Sequence, residues 1–130
     1  MIICDTHVLV LDALAPSRLS RKTRRRLKEG ESAGQLACAD ISLWGIAMLI
    51  SKRRLQVDDE SETFIQTLLD SRGYRVLPMT AQIAALSQAA EIPGKDPADR
   101  LIAATALAAR VELLSADQAL KAISGLKVVW

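Results

Sequence analysis

Five short apolar runs, separated by segments of helix length, constrain the fold of this chain more than any other feature. They read MIIC, QLACA, YRVLPM, VELLS and LKVVW, starting at residues 1, 35, 74, 111 and 126. Each is the length of a buried strand. Between them, HVLVLDALA suits a helix that stops near Pro16, and Ser20 caps RKTRRRLKEG, with Gly30 as its stop. DISLWGIAML continues as a helix to about Lys52, with Asp40 and Ser42 as candidate caps. DDESETFIQTLLDSRG carries acids in its first turn and ends at Gly73, and Thr80 caps AQIAALSQAAEI. After the turn PGKDP, ADRLIAATALAAR is apolar on nearly every side and is expected to be buried; ADQALKAIS is a short helix. Strands alternating with helices predict an α/β domain with a parallel sheet of about five strands, flanked by helices on both faces. Residues 1–130 read as one domain, without repeats or a linker.

Half of the 130 residues are apolar, enough for a core, yet no run approaches the ~20 residues of a membrane span. The opening segment MIICDTHVLVLDAL is interrupted by Asp5 and Asp12 and has no basic leader, unlike a signal peptide. The expected setting is cytoplasmic, with no membrane partner. Cys4 and Cys38 both lie in apolar runs, which predicts buried free thiols rather than a disulfide or a zinc site.

The net charge of +2 is unevenly spread. Seven basic residues and no acid lie between Arg18 and Lys28; the other ten Lys and Arg face all fifteen acids, leaving −5 outside the segment. The run, including Arg21, Arg24, Arg25 and Arg26, reads either as a solvated helix face or as a phosphate-contacting patch.

In a parallel sheet, ligands bind beyond the carboxyl ends of the strands. Asp5 follows the first strand, Asp40 the second, and Asp117 lies two residues past the fourth, after Ser115. Asp99 opens the long buried helix that leads into the fourth strand. Carboxylates that converge in a cleft repel one another unless a cation is present. Magnesium prefers oxygen ligands and often rests on a few carboxylates plus substrate phosphate. It can activate water and stabilise the leaving oxygen in phosphodiester hydrolysis. Each acid also has a plainer reading. Asp40, Asp96 and Asp117 precede helices and would serve as caps, and a carboxylate at Asp99 suits the helix dipole. A helix after Asp5 could instead be capped by Thr6. Other phosphate chemistries fit less well: there is no GxGxxG, no P-loop lysine and no Ser-His-Asp arrangement, and His7, the single histidine, reads as structural.

The chain resembles the PIN-domain ribonuclease toxins of VapBC toxin–antitoxin modules. CDTHVLVLDAL is similar to their opening segment, DISLW-IAML to their second motif, DPADRLIAATAL to their third and LLSADQAL to their fourth, in order from end to end. The resemblance implies a PIN-like sandwich that cuts RNA with magnesium, or manganese, held by Asp5, Asp99 and Asp117. Ser115 would be the hydroxyl residue beside the site. It further implies a homodimer, inhibition by a cognate VapB-like antitoxin, and promoter binding only through that antitoxin.

Gly45 departs from the pattern, because the residue after SLW in these toxins is a glutamate that completes the acidic cluster. Glycine in a helix interior costs roughly 0.5–1 kcal/mol relative to alanine, and a glutamate three residues after Ser42 could complete a capping box. Gly45 is therefore expected to be the vacancy of a metal-site carboxylate. Two readings stay open: an endoribonuclease toxin impaired at this position, or a catalytically silent module that still sequesters an antitoxin.

Overall fold

Parallel pairing requires each strand to return over the sheet through a crossover, and this chain does so repeatedly. The computed structural model describes residues 1–130. Strands β1 (Ile2–Cys4), β2 (Leu36–Ala39), β3 (Arg75–Leu77), β4 (Glu112–Leu114) and β5 (Val128–Val129) form one sheet in the order β3-β2-β1-β4-β5. All four pairings are parallel. The helices are α1 (Thr6–Leu14), α2 (Arg21–Ala33), α3 (Ile41–Ser51), α4 (Ser61–Arg72), α5 (Ala81–Leu86) and α6 (Pro97–Ala109). The expected α/β architecture is thus the one found. No helix is long and apolar enough to cross a membrane.

The period-two alternation of strands divides the core into two layers. Ile2, Cys4, Leu36, Cys38, Leu114 and Val129 face one side, under Val8 and Leu9 of α1, Leu27 of α2, Ile46 of α3 and Phe64 of α4. Ile3, Ala37, Ala39 and Leu113 face the other side, under Ile83 of α5 and Ile102, Ala103 and Ala106 of α6. Burying each Leu or Ile contributes about 1.5–3 kcal/mol. The small alanines let α6 lie close to the central strands. Trp130 packs on the first layer. Cys4 and Cys38 are buried and unpaired, as expected. Burial pushes the Cys38 thiol up to about 12, with the Asp40 charge adding to it. Burial likewise raises the Cys4 thiol well above its ordinary value, with a smaller push from Cys38. Both thiols are therefore inert.

Several local expectations are corrected. Gly30 does not stop α2; the helix runs on to Ala33 and ends at Gly34, in the left-handed region at φ 65°. Gly30 is glycine because α2 crosses the start of the sheet closely there. A Cβ would stand 2.5 Å from Leu36 Cδ2 and 3.0 Å from Ile2 Cδ1. Asp40 precedes α3 but makes no side-chain cap; its Oδ2 accepts from the Met79 N–H at 2.9 Å, which ties the start of α3 to the end of β3. Ser42 is not a cap either. It is buried inside the first turn, and its Oγ accepts from Thr6 Oγ1 at 3.0 Å. Gly45 consequently lies in the second turn, beyond the reach of a capping box. Asp58 and Asp59 precede α4, leaving only Glu62 in its first turn. The helix after Thr80 is only Ala81–Leu86. The chain beyond it is held as turns by Arg100, whose guanidinium donates to the carbonyls of Ser87, Ala89, Ile92 and Gly94. Trp44, on the outer side of α3, is 57% exposed.

An ion cluster around the buried carboxylate of Asp12 fastens α4 to α1. The Arg72 guanidinium donates from Nε and Nη2 to both oxygens of Asp12, at 2.7 and 2.9 Å, and from Nη1 to Glu31. Tyr74 Oη donates to Asp12 at 2.8 Å. The paired geometry satisfies a carboxylate that is otherwise taken out of water.

Candidate active site

Short strands hand the chain directly to helices at the carboxyl edge of the sheet, so a residue just past a strand is also the first residue of a helix. Asp5 follows β1 and caps α1, its Oδ1 accepting from the Val8 N–H at 3.1 Å. Asp117 follows β4 and caps the short 3-10 helix Gln118–Ala122, its Oδ1 accepting from the Ala119 N–H at 3.0 Å. Ser115, wholly buried between them, turns its Oγ to accept from the Asp117 N–H at 3.1 Å. Asp96 caps α6 through the Ala98 N–H at 2.9 Å, which sets Asp99 in the first turn of that helix. The capping and metal-ligand readings of Asp5 and Asp117 are therefore compatible. One carboxylate oxygen is fixed by a backbone N–H, and the other makes no hydrogen bond within the chain.

Asp5, Asp99 and Asp117 line one cleft of about 350 Å³, together with His7, Ile102, Ala116 and Leu120. Asp99 is exposed, but it lines this cleft. Partial burial raises its carboxyl above the ordinary aspartate range, and the charges of Asp96, Asp5 and Asp117 add to the shift in that order. His7 acts the other way. The acids thus sense one another across the cleft, which is the like-charge arrangement a cation relieves. Oxygen donors of this kind suit magnesium or manganese. The gathering is incomplete, because no three His, Cys, Asp or Glu side chains stand together at ligating separation.

The remaining candidates lie elsewhere. Asp40 is engaged by Met79 and does not line the cleft. Gly45 is buried on α3, where a Cβ would make ordinary contact with Thr6, at 3.6 Å from Cγ2 and 3.7 Å from Oγ1. Thr6 is the neighbour of Asp5, so a Cβ at position 45 would lie one residue from the site's first acid without a clash. Of the basic candidates, Arg21, Arg24 and Arg25 are exposed, but Arg26 is not free: it pairs with Glu112 and Glu29. His7 was read as structural, yet it is exposed and lines the cleft. Its place two residues beyond Asp5, in the first turn of α1, was the available signal. The Thr6–Ser42 hydroxyl pair was invisible in the sequence, because it joins residues 36 positions apart.

The chain is similar to known proteins along nearly its whole length. A profile of the PIN domain matches residues 2–126. Ribonuclease VapC22 of Mycobacterium tuberculosis is 33% identical over 122 residues, covering 92% of this chain and 89% of that protein. Among solved structures, VapBC2 from Rickettsia felis, bound to a DNA fragment from its promoter, superposes with a TM-score of 0.74 at 20% identity. The match covers 99% of this chain and 98% of that one. DNA-bound VapBC from Salmonella typhimurium gives a TM-score of 0.73 at 16% identity, over 98% and 96% of the two chains.

Proposed function

The chain belongs to the PIN-domain family, as a VapC-like member, and on that premise we propose that it is a divalent-metal-dependent endoribonuclease of a toxin–antitoxin pair, impaired at Gly45. The observation that carries this reading is the cleft in which Asp5, Asp99 and Asp117 converge, with Asp99 perturbed by its acidic neighbours. A magnesium or manganese ion on these carboxylates would supply Lewis acidity toward a phosphodiester and activate water. Asp5 and Asp117 would hold it through the oxygens left free by their capping bonds. Ser115 would keep Asp117 in place, and Asp96 would fix the turn that presents Asp99. His7, exposed and lining the same cleft, would face a phosphate bound there.

Gly45 supports the view that the acidic set is short of one carboxylate. The glycine relieves no steric conflict, and the three acids do not by themselves form a ligating cluster. The same facts favour a second reading, a silent module that only binds its antitoxin. An inhibitory VapB-like antitoxin remains part of the proposal, supported by the fold shared with VapBC complexes, and a homodimer remains part of it through the motif resemblance alone.

The test compares RNA cleavage in magnesium by this chain and by Gly45→Glu. The impaired-toxin reading expects the restored chain to cut at least about a hundredfold faster, the scale set by losing one group that stabilises developing charge. Equal rates would remove Gly45 from the argument. Inactivity of both, with an antitoxin still bound, would leave the silent module.

A further inference from the structure

Helix α2 turns one face inward and one outward. Thr23, Leu27 and Gly30 are buried; on the opposite side Arg21, Arg24, Arg25 and Lys28 follow one another at helical spacing, all exposed. Arg18 and Lys22 flank them, also exposed. None of these six cations makes an ion pair. The acids that could neutralise them are occupied elsewhere: Glu29 and Glu112 hold Arg26, and Glu31 holds Arg72. The fold therefore uses Arg26 and leaves its neighbours as a ridge of uncompensated positive charge.

The position of the ridge matters as much as its charge. Arg26 anchors α2 to Glu112, the first residue of β4, and the Gln35 carbonyl just past α2 accepts from Ile2, the first residue of β1. The ridge thus belongs to the amino edge of the sheet. Asp5 and Asp117 stand at the carboxyl edge, and Asp99 lies in the opposite helical layer. A domain of this size is on the order of 30 Å across. A cleft lined by carboxylates attracts no polyanion by itself, so a substrate RNA needs its positive contacts elsewhere.

We propose that the outer face of α2 is a docking surface for the phosphate backbone of a folded RNA whose cleaved segment lies in the distant acidic cleft. The inference rests on the ribonuclease reading and adds to it a substrate class: RNA large enough to reach both edges of the domain. Four cations over two turns match a backbone contact, which fixes position without reading sequence. A single strand of about four nucleotides, the low end of a binding-site size, would occupy the cleft alone.

The experiment measures equilibrium binding by fluorescence anisotropy with calcium, an oxygen-preferring cation, filling the acidic cleft, so that no cleavage is needed. The probes are an RNA hairpin of about 20 base pairs with a single-stranded tail, near the length that spans successive grooves, the matching DNA hairpin, a four-nucleotide RNA, and a poly-glutamate peptide. In the Arg21→Ala, Arg24→Ala, Arg25→Ala, Lys28→Ala variant the RNA hairpin should bind about tenfold or more weakly, with a salt slope smaller by about three. The tetranucleotide should be unaffected. If the fourfold variant does not fold, Arg25→Glu alone should weaken the hairpin and spare the tetranucleotide. Unchanged hairpin affinity overturns the proposal, as do equal losses for hairpin and tetranucleotide. Tighter binding of the DNA hairpin or of poly-glutamate overturns the choice of RNA. Cleavage by the Gly45→Glu chain separates the two claims: hairpin binding through the ridge without any cleavage sinks the ribonuclease reading alone, and cleavage indifferent to the ridge sinks the docking surface alone.

Discussion

Replacing Gly45 by alanine should stabilise this protein, and the size of the effect follows from local geometry. Gly45 has ordinary helical backbone in the second turn of α3, where glycine costs about 0.8–1 kcal/mol relative to alanine. The added methyl would meet Thr6 at 3.6 Å, ordinary contact in a buried position. Burial of one methyl adds up to about 0.8 kcal/mol. Allowing for a fully extended reference chain, the net gain should be about 1–1.5 kcal/mol. In a domain of 130 residues that raises Tm by roughly 3–6 °C. Gly45→Glu should differ. Its carboxylate would join an acidic neighbourhood, so in EDTA it should gain little or lose stability relative to alanine. Magnesium should then stabilise Gly45→Glu more than either other chain, since a ligand at a hundred times its Kd adds about 2.7 kcal/mol. Urea unfolding of the three chains, with EDTA and with magnesium, measures every quantity. If Gly45→Ala unfolds more easily than the parent, glycine is required sterically at that position and the vacancy argument collapses. If magnesium raises all three chains equally, position 45 has no part in metal binding.

Gly30→Ala, also in a helix, should have the opposite sign. Its Cβ would stand 2.5 Å from buried Leu36 Cδ2, and overpacking of about 1–3 kcal/mol outweighs the propensity gain of about 1 kcal/mol; a urea midpoint above the parent's would contradict this. Arg72→Met should destabilise by about 3 kcal/mol, because it strands the buried Asp12 carboxylate, and calorimetry should show that Asp12→Asn added to it restores part of the loss. Asp99→Asn tests the acidic cleft through pH. The raised folded-state value of Asp99 means that its ionisation disfavours the fold once pH rises above the ordinary aspartate range. The variant should therefore melt above the parent at pH 7 in EDTA, with the gap closing as pH falls below that range. A gap that widens on acidification would show that repulsion is not the cause.

What could be read in the sequence was what local chemistry determines. The apolar runs and their helical spacers gave the layer order, because period and length are local properties of the chain. The acids just past β1 and β4 were legible for the same reason, since a parallel sheet puts every such position at one edge. The motif likeness made Gly45 conspicuous. The errors fall where a side chain had two partners to choose from. Asp40 could cap α3 or reach Met79, and the approach of β3 decided for Met79. Ser42 could cap or pair with Thr6, and the packing of α1 against α3 decided for Thr6. Gly30 was a stop signal by its type and became a contact point only because Leu36 and Ile2 pass beneath it. The basic run was visible as seven like charges, but nothing local distinguishes Arg26 from Arg25. Helical rotation, together with Glu112 arriving from a strand 86 residues away, neutralised one and left the other in solvent. The sequence by itself determined the periodic elements and the chemistry available at the sheet edge. The tertiary structure alone decided which charges are matched and on which edge the unmatched ones lie, because electrostatic pairing depends on distance in space rather than along the chain.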